Sequence, residues 1–347
     1  MGKPWLTANR VTFARIAVMP LMVWLFYQGR AGRWWAFGVG AIIAMTDFVD
    51  GYLARKHGPT VLGALMDPIA DKLFVAVIFL PLVHLGWLPA DLVALIFVRE
   101  LLVTALRTIY ERRGVRLRTS YFAKVKTWVQ MQAAATILFI GLVGDRTVVW
   151  IAVSASAAIV VAAIVAMWLA RRRVWRGAVI MLAMTAALAA TLLPASLRDT
   201  FWWITLGILA FTWGSGIDYV VGGVRQLRGT GAPAASDLVR IASAVAIPLA
   251  AVPALVAGGI PPALPIGVVC VELAVGGLDN LLAHHGAEGG ALAWAARTGP
   301  AVALLAAALW AAHTARAGAI TPLAAAALAA SVAGGAREFW RGRRYYL

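Results

Sequence analysis

Residues 45–72, MTDFVDGYLARKHGPTVLGALMDPIADK, carry four of the chain's fifteen carboxylates: Asp47, Asp50, Asp67 and Asp71. The first two are spaced i, i+3 and the second two i, i+4, so on helices each pair shares one face. Gly51, Gly58, Pro59 and Gly63 lie between the pairs and are enough to turn the chain back between two helices. Two such helices aim four carboxylates at one point. Like charges that close need a counter-charge, and hard divalent cations such as Mg²⁺ or Mn²⁺ prefer all-oxygen ligands. The competing view, that the aspartates only cap helices or line a solvated loop, does not call for four acids at these spacings.

Outward from this stretch the chain is apolar. Of 347 residues, 62% are hydrophobic and 13% charged, and the mean hydropathy is +0.83. A soluble domain of this length carries more charge. Apolar runs near the ~20 residues needed to cross a bilayer recur about a dozen times. The expected fold class is therefore an all-α polytopic membrane protein with about 12 transmembrane helices. No alternating pattern supports a β-barrel. The formal charge of +16 reads as basic flanks beside membrane spans facing anionic lipids, and not as a nucleic-acid surface. Cys270 is the single cysteine, so neither an internal disulfide nor a cysteine-based metal site is available.

Residues 1–15 read as an amphipathic lead-in on the membrane surface. A first span follows to about 28, retained and not a cleaved signal. Further spans are expected near 33–55, 67–85, 90–112, 121–143, 147–170, 175–194 and 201–224. The stretch 229–236, GTGAPAAS, reads as a linker. Four more spans are expected near 237–256, 261–283, 290–312 and 318–337. Arg55, Lys56, Arg112, Arg113, Arg116, Arg118, Lys124, Lys126, Arg171 to Arg173, Arg176, Arg225 and Arg228 fall on one side, against Arg30, Arg33, Arg146 and Arg198 on the other. The positive-inside rule then makes both termini and the aspartates cytoplasmic.

The spacing Asp47-x₂-Asp50-Gly51-x₂-Ala54-Arg55-x₇-Gly63-x₃-Asp67-x₃-Asp71 resembles the signature of the CDP-alcohol phosphotransferases, integral membrane enzymes that make phospholipids from a CDP-activated lipid. The resemblance implies a metal site for two Mg²⁺ or Mn²⁺ ions made by Asp47, Asp50, Asp67 and Asp71, in which Asp71 also takes the proton of the incoming hydroxyl. It also implies CDP-lipid contacts from Gly51, Ala54, Arg55, Gly63, Asn9 and Thr12. Asp67-Pro68-x-Ala70-Asp71-Lys72-Leu73, Arg99-Glu100-Leu101 with Arg107, Lys124-x-Lys126-Thr127-x₂-Gln130, Asn9-x₂-Thr12-x₂-Arg15 and WGSGIDY at 213–219 are similar to phosphatidylglycerophosphate synthases. That likeness covers 1–144 and about 200–228, and implies CDP-diacylglycerol and glycerol 3-phosphate as substrates, with CMP released.

Arg99 and Glu100 lie inside an apolar run, where ionisable groups are costly and usually functional. Glu100 and Arg107, seven apart, share a helical face. Arg99, Arg107, Lys124 and Lys126 are thus candidates for the acceptor phosphate. Ordinary positive-inside flanks at Lys124 and Lys126, and a structural Arg99–Glu100 pair, are the alternatives. Another acceptor (inositol phosphate, phosphatidylglycerol, serine), or a transporter or scaffold, are the competing functions. Acids at the end of two helices, and not at the midplane, argue against transport.

The expected organisation is a catalytic membrane domain over 1–228, with an extra helix pair near 147–194, the linker 229–236, and a four-helix block over 237–347. That block reads as a degenerate copy of the first spans. Pro20 aligns with Pro248, Asp50-Gly51-x₂-Ala54 with Asp279-Asn280-x₂-Ala283, and Gly63-Ala64-Leu65 with Gly290-Ala291-Leu292. Trp294 and Thr298 stand where Asp67 and Asp71 would recur, so no metal is expected there. A homodimer, or a pseudo-dimer within one chain, is the corresponding expectation for assembly.

Overall fold

The computed structural model describes residues 7–57, 61–114, 121–172, 176–193, 196–227, 234–287, 289–314 and 316–345. The side chains of 47–57 and 121–125 lie outside that description, and with them Asp47, Asp50, Ala54, Arg55 and Lys124. Among the described residues there are no strands and twelve α-helices: α1 (Ala8–Phe26), α2 (Gly29–His57), α3 (Val61–His84), α4 (Ala90–Arg112), α5 (Tyr121–Val143), α6 (Arg146–Arg171), α7 (Arg176–Thr191), α8 (Leu197–Leu227), α9 (Ala235–Val256), α10 (Ala263–His284), α11 (Ala291–His313) and α12 (Ala317–Gly342).

Seven of these, α1, α6 and α8 to α12, contain stretches long and apolar enough to cross a membrane. Their surfaces agree. Helix α6 leaves Ile151, Ile159 and Leu169 more than half exposed and buries only Val149, Val153 and Val160. Such a face is stable against lipid and not against water. The chain is an integral membrane protein with an all-α fold.

Contacts between side chains define the two ends of the bundle. At one end Arg30 donates to the Leu142 carbonyl at 2.9 Å, Arg146 donates to the Leu192 carbonyl, and Trp87 stacks on Phe201. The opposite end gathers Asp67, Asp71, Arg107, Glu111 and His284, whose contacts are described below, together with Arg112 and Arg113, which both pair with Asp237.

One expectation needs correction. Residues 8–15 do not form a separate lead-in helix; they are the first two turns of α1, continuous with the span. Thr12 and Arg15 are buried at 0% and 3% exposure, because their polar groups find partners on α3 and not in water. Helix α3 likewise begins at Val61, two turns before the expected start.

Helix α1 packs on α2 and α3, α5 on α8 and α2, and α4 on α8. The extra pair α6 and α7 leans on this bundle, and with α5, α8 and Phe37 of α2 lines a partly open apolar cavity of ≈ 790 Å³. Helices α9 and α10 pack directly on α3 and α4, and a single buried apolar cluster runs across that junction, from Phe79 and Ile96 to Ile247 and Val269. The close approach rests on Gly276 and Gly277. A Cβ at Gly277 would lie 2.4 Å from Cγ1 of Ile69, and one at Gly276 3.1 Å from Cγ2 of Thr104.

Gly277→Leu should therefore lower the apparent thermal midpoint in detergent by a few degrees, as expected for overpacking worth about 1–3 kcal/mol. Gly299→Leu, where an added Cβ meets nothing within 4 Å, is the matched control. Equal midpoints for the two variants would mean that α10 is not seated on α3.

Candidate functional site

Asp67 and Asp71 sit one turn apart near the start of α3, both partly exposed. Helix α1 holds them from behind. Thr12 Oγ1 donates to Asp67 Oδ1 at 3.0 Å, and Arg15 Nη2 to Asp71 Oδ1 at 3.3 Å. Thr12 and Arg15 are three apart on α1 and their partners four apart on α3, so one helix–helix register makes both contacts. Asn9 lies in the first turn of α1, and Gly63 is buried in the first turn of α3. Asp47 and Asp50 belong to the last turns of α2, which also packs on α1. Among the described residues no three potential ligands gather to form a metal group. The available donors, carboxylate oxygens with no sulfur or imidazole among them, fit a hard divalent cation.

A second polar cluster is centred on Glu100. Lys126 Nζ donates to both of its carboxylate oxygens, at 2.6 and 2.7 Å. Arg99 Nη1 and Gln130 Nε2 each approach Oε1 at 3.4 Å. Arg99 continues to Ser215 Oγ at 3.0 Å and Gln130 to Thr212 Oγ1 at 3.2 Å. All six side chains are buried, and they tie α4, α5 and α8 together. Gly216 leaves room for this, since a Cβ there would stand 3.0 Å from Arg99 Nε.

Of the four cations expected to share an acceptor phosphate, Arg99 and Lys126 are thus brought together on Glu100. Arg107 stands apart, exposed, with Nε 3.4 Å from the Tyr219 hydroxyl, and the Lys124 side chain lies outside the described residues. Lys72, which sequence reasoning left without a role, donates to Thr104 Oγ1 at 2.6 Å. It lies in electrostatic reach of Glu100, Lys126 and Arg107, and Lys126 in turn of Asp71. Lys126 thus stands between the Glu100 cluster it pairs with and the carboxylate of Asp71. The sequence signal for Lys72 was present: it follows Asp71 directly, inside a span.

The C-terminal block repeats the register of the first. Arg240 on α9 lies over the Trp294 ring of α11 at 4.5 Å, and Ser243 bonds Thr298 at 2.7 Å. These pairs stand 228 residues after Thr12 and Arg15, and 227 after Asp67 and Asp71. Here the charge is closed internally. Arg297 donates to Asp279 at 3.0 Å and approaches Glu272 at 3.7 Å, all three buried.

Residues 5–168 match the family model described as CDP-alcohol phosphatidyltransferase. A Rickettsia bellii protein named CDP-diacylglycerol--glycerol-3-phosphate 3-phosphatidyltransferase is 35% identical over 155 residues, covering 42% of this chain and 85% of that relative. A Salmonella choleraesuis protein of the same name is 35% identical over 170 residues, 46% of this chain and 87% of the relative. A probable phosphatidylglycerophosphate synthase of Mycobacterium tuberculosis is 42% identical over 131 residues, 36% of this chain and 62% of the relative. No solved structure matches the chain. The family match ends inside α6, so α7 to α12 lie beyond it.

Removing one partner of a buried ion pair costs about 3–5 kcal/mol. Lys126→Met should lower the unfolding midpoint strongly, and Glu100→Gln should do so too. The double variant should lose less than the sum of the two, because the charge left behind by Lys126→Met is then gone. Additive losses in unfolding measurements would dissolve the pair.

Proposed function

The chain belongs to the CDP-alcohol phosphatidyltransferase family, and we propose from that premise that it transfers the phosphatidyl group of CDP-diacylglycerol to sn-glycerol 3-phosphate, giving phosphatidylglycerophosphate and CMP. The observation that carries this reading is the pair Asp67 and Asp71, held by Thr12 and Arg15 at the end of the bundle where arginines and lysines gather. The names of the relatives supply the acceptor.

In this reaction the acceptor hydroxyl oxygen bonds to the phosphatidyl phosphorus, the phosphoanhydride bond breaks, and CMP leaves with its electron pair. Asp71, partly exposed and oriented by Arg15, accepts the hydroxyl proton. Asp47, Asp50 and Asp67 would hold two Mg²⁺ or Mn²⁺ ions, whose charge, when bound, offsets that of the pyrophosphate. Gly51, Ala54, Arg55, Gly63 and Asn9 would line the CDP-lipid, with Thr12 fixing Asp67 from behind. Arg107 and Lys124 would contact the acceptor phosphate, while Arg99 and Lys126 act through Glu100 to position α4 and α5. The basic connections at this end support its assignment to the cytoplasm, where CDP-lipid presents its nucleotide.

The same reading takes residues 1–228 as the catalytic domain, 229–236 as linker and 237–347 as a degenerate copy, with all twelve helices crossing the bilayer. The shared α1/α3 and α9/α11 register supports the copy. In it Arg297 supplies the cation that the carboxylates Glu272 and Asp279 need, so this block requires no metal.

Purified protein in lipid nanodiscs with CDP-diacylglycerol should release CMP only with a divalent ion, and faster with glycerol 3-phosphate than with inositol phosphate, serine or glycerol. Asp71→Asn should abolish release while leaving CDP-lipid binding within a few-fold. Near-normal turnover in that variant would remove Asp71 as the base, and preference for another acceptor would overturn the substrate.

A further inference from the structure

Between the family domain and the C-terminal block lies a cavity of ≈ 370 Å³, walled by α3, α4 and α10. That is within the range of about 300–1,000 Å³ typical of small-ligand pockets. Its polar lining comes from both blocks: Lys72 and Arg107 with Glu111 from the first, Asn280 and His284 from the second. Lys72 and Arg107 are on hand as cations. Glu111 is the one acid among the lining residues, and His284 Nδ1 sits 2.6 Å from its Oε1. A histidine in that position engages the carboxylate and lowers its repulsion of an anion. Asn280 is held through Thr108 of α4, so α10 is fixed to the family domain at the cavity wall. Asp71, the neighbour of Lys72 in sequence, lies on the adjoining face of α3.

We propose that this cavity takes the phosphate monoester end of the acceptor, and that the C-terminal block is therefore part of the substrate site, with Asn280 and His284 as specificity-determining residues. The inference rests on the transferase reading above. A phosphate held by Lys72 and Arg107 would place the acceptor against α3, the helix that carries Asp71. The copied block has exchanged its own acid cluster for a wall in the first block's pocket. An anionic lipid headgroup offers the same chemistry, and the test separates it from a soluble monoester.

Two measurements on the full chain decide the matter. The first is CMP release in phosphatidylcholine nanodiscs. His284→Leu should raise the KM for glycerol 3-phosphate by up to about fivefold, the scale of a solvent-exposed charged pair, and leave the KM for CDP-diacylglycerol within about 1.5-fold. Adding Glu111→Gln to His284→Leu should restore most of the acceptor KM, which a purely structural role for the histidine does not predict. Unchanged acceptor KM in His284→Leu, or no rescue, overturns the inference while leaving the transferase reading intact.

The second is thermal protection of the metal-loaded protein by glycerol 3-phosphate, read without turnover. Protection present in the wild type and lost in Asn280→Leu supports the site even if no CMP is released, in which case only the transferase reading fails. Protection equal in both proteins overturns the site. Protection conferred by phosphatidylglycerol in the nanodisc and not by glycerol 3-phosphate also overturns it, by assigning the cavity to a lipid.

Discussion

Every charge inside a bilayer-spanning bundle must be met by a partner on another helix, and that constraint organises this molecule. An unpaired carboxylate or guanidinium in a low-dielectric interior costs several kcal/mol. Glu100 is met by Lys126 from α5 and Arg99 from its own helix, Asp71 by Arg15 from α1, and Asp279 by Arg297 from α11. Each pairing fixes a helix–helix register. Apolar packing between Ala-, Leu- and Gly-rich helices selects register weakly, since lipid is as apolar as the neighbouring helix. The polar pairs are what make one arrangement of α1, α3, α4 and α5 preferable to its neighbours one turn away.

The two blocks solve the same problem differently. In the first, Thr12 and Arg15 steady two carboxylates that remain partly open. In the second, the same register brings Arg240 to Trp294 and Ser243 to Thr298, and a second arginine, Arg297, lies over the same indole at 3.9 Å. The indole gives two guanidinium groups an attractive face within the buried site. Arg297 thus supplies a buried counter-charge to both Asp279 and Glu272. The block packs against α3 and α4 at the two adjacent glycines 276 and 277.

The helical class and the approximate ends of most helices were legible because they depend on residues close in sequence. Spacing of i, i+3 and i+4 needs only helix geometry. The partner of Lys126 was not legible in the same way: the residue that takes its charge is 26 positions away, on a helix whose rotation depends on its own neighbours. The opening of α1 misled for a related reason. Asn9, Arg10 and Arg15 among apolar residues read as a surface helix, yet Arg15 is buried, because the acid it meets lies 56 residues on. The seating of α10 on α3 and α4 left only Gly276 and Gly277 as a trace, and small residues in a Gly-rich membrane chain carry little address.

Helix α3 shows how one element serves several demands. Residues 67 and 71 turn toward α1, while 65, 68, 69 and 72 turn toward α4 and α10. Asp71 and Lys72 are neighbours in the chain, about 100° apart around the helix axis. One belongs to the carboxylate cluster and the other to the cationic cavity. A rigid helix thereby holds an acid and an ammonium group at a fixed separation, with no loop between them to vary it. Packing of α1 on one side and α10 on the other fixes the rotation of α3 that sets this separation. The second block thus touches the first through α3, the helix that also carries Asp67 and Asp71.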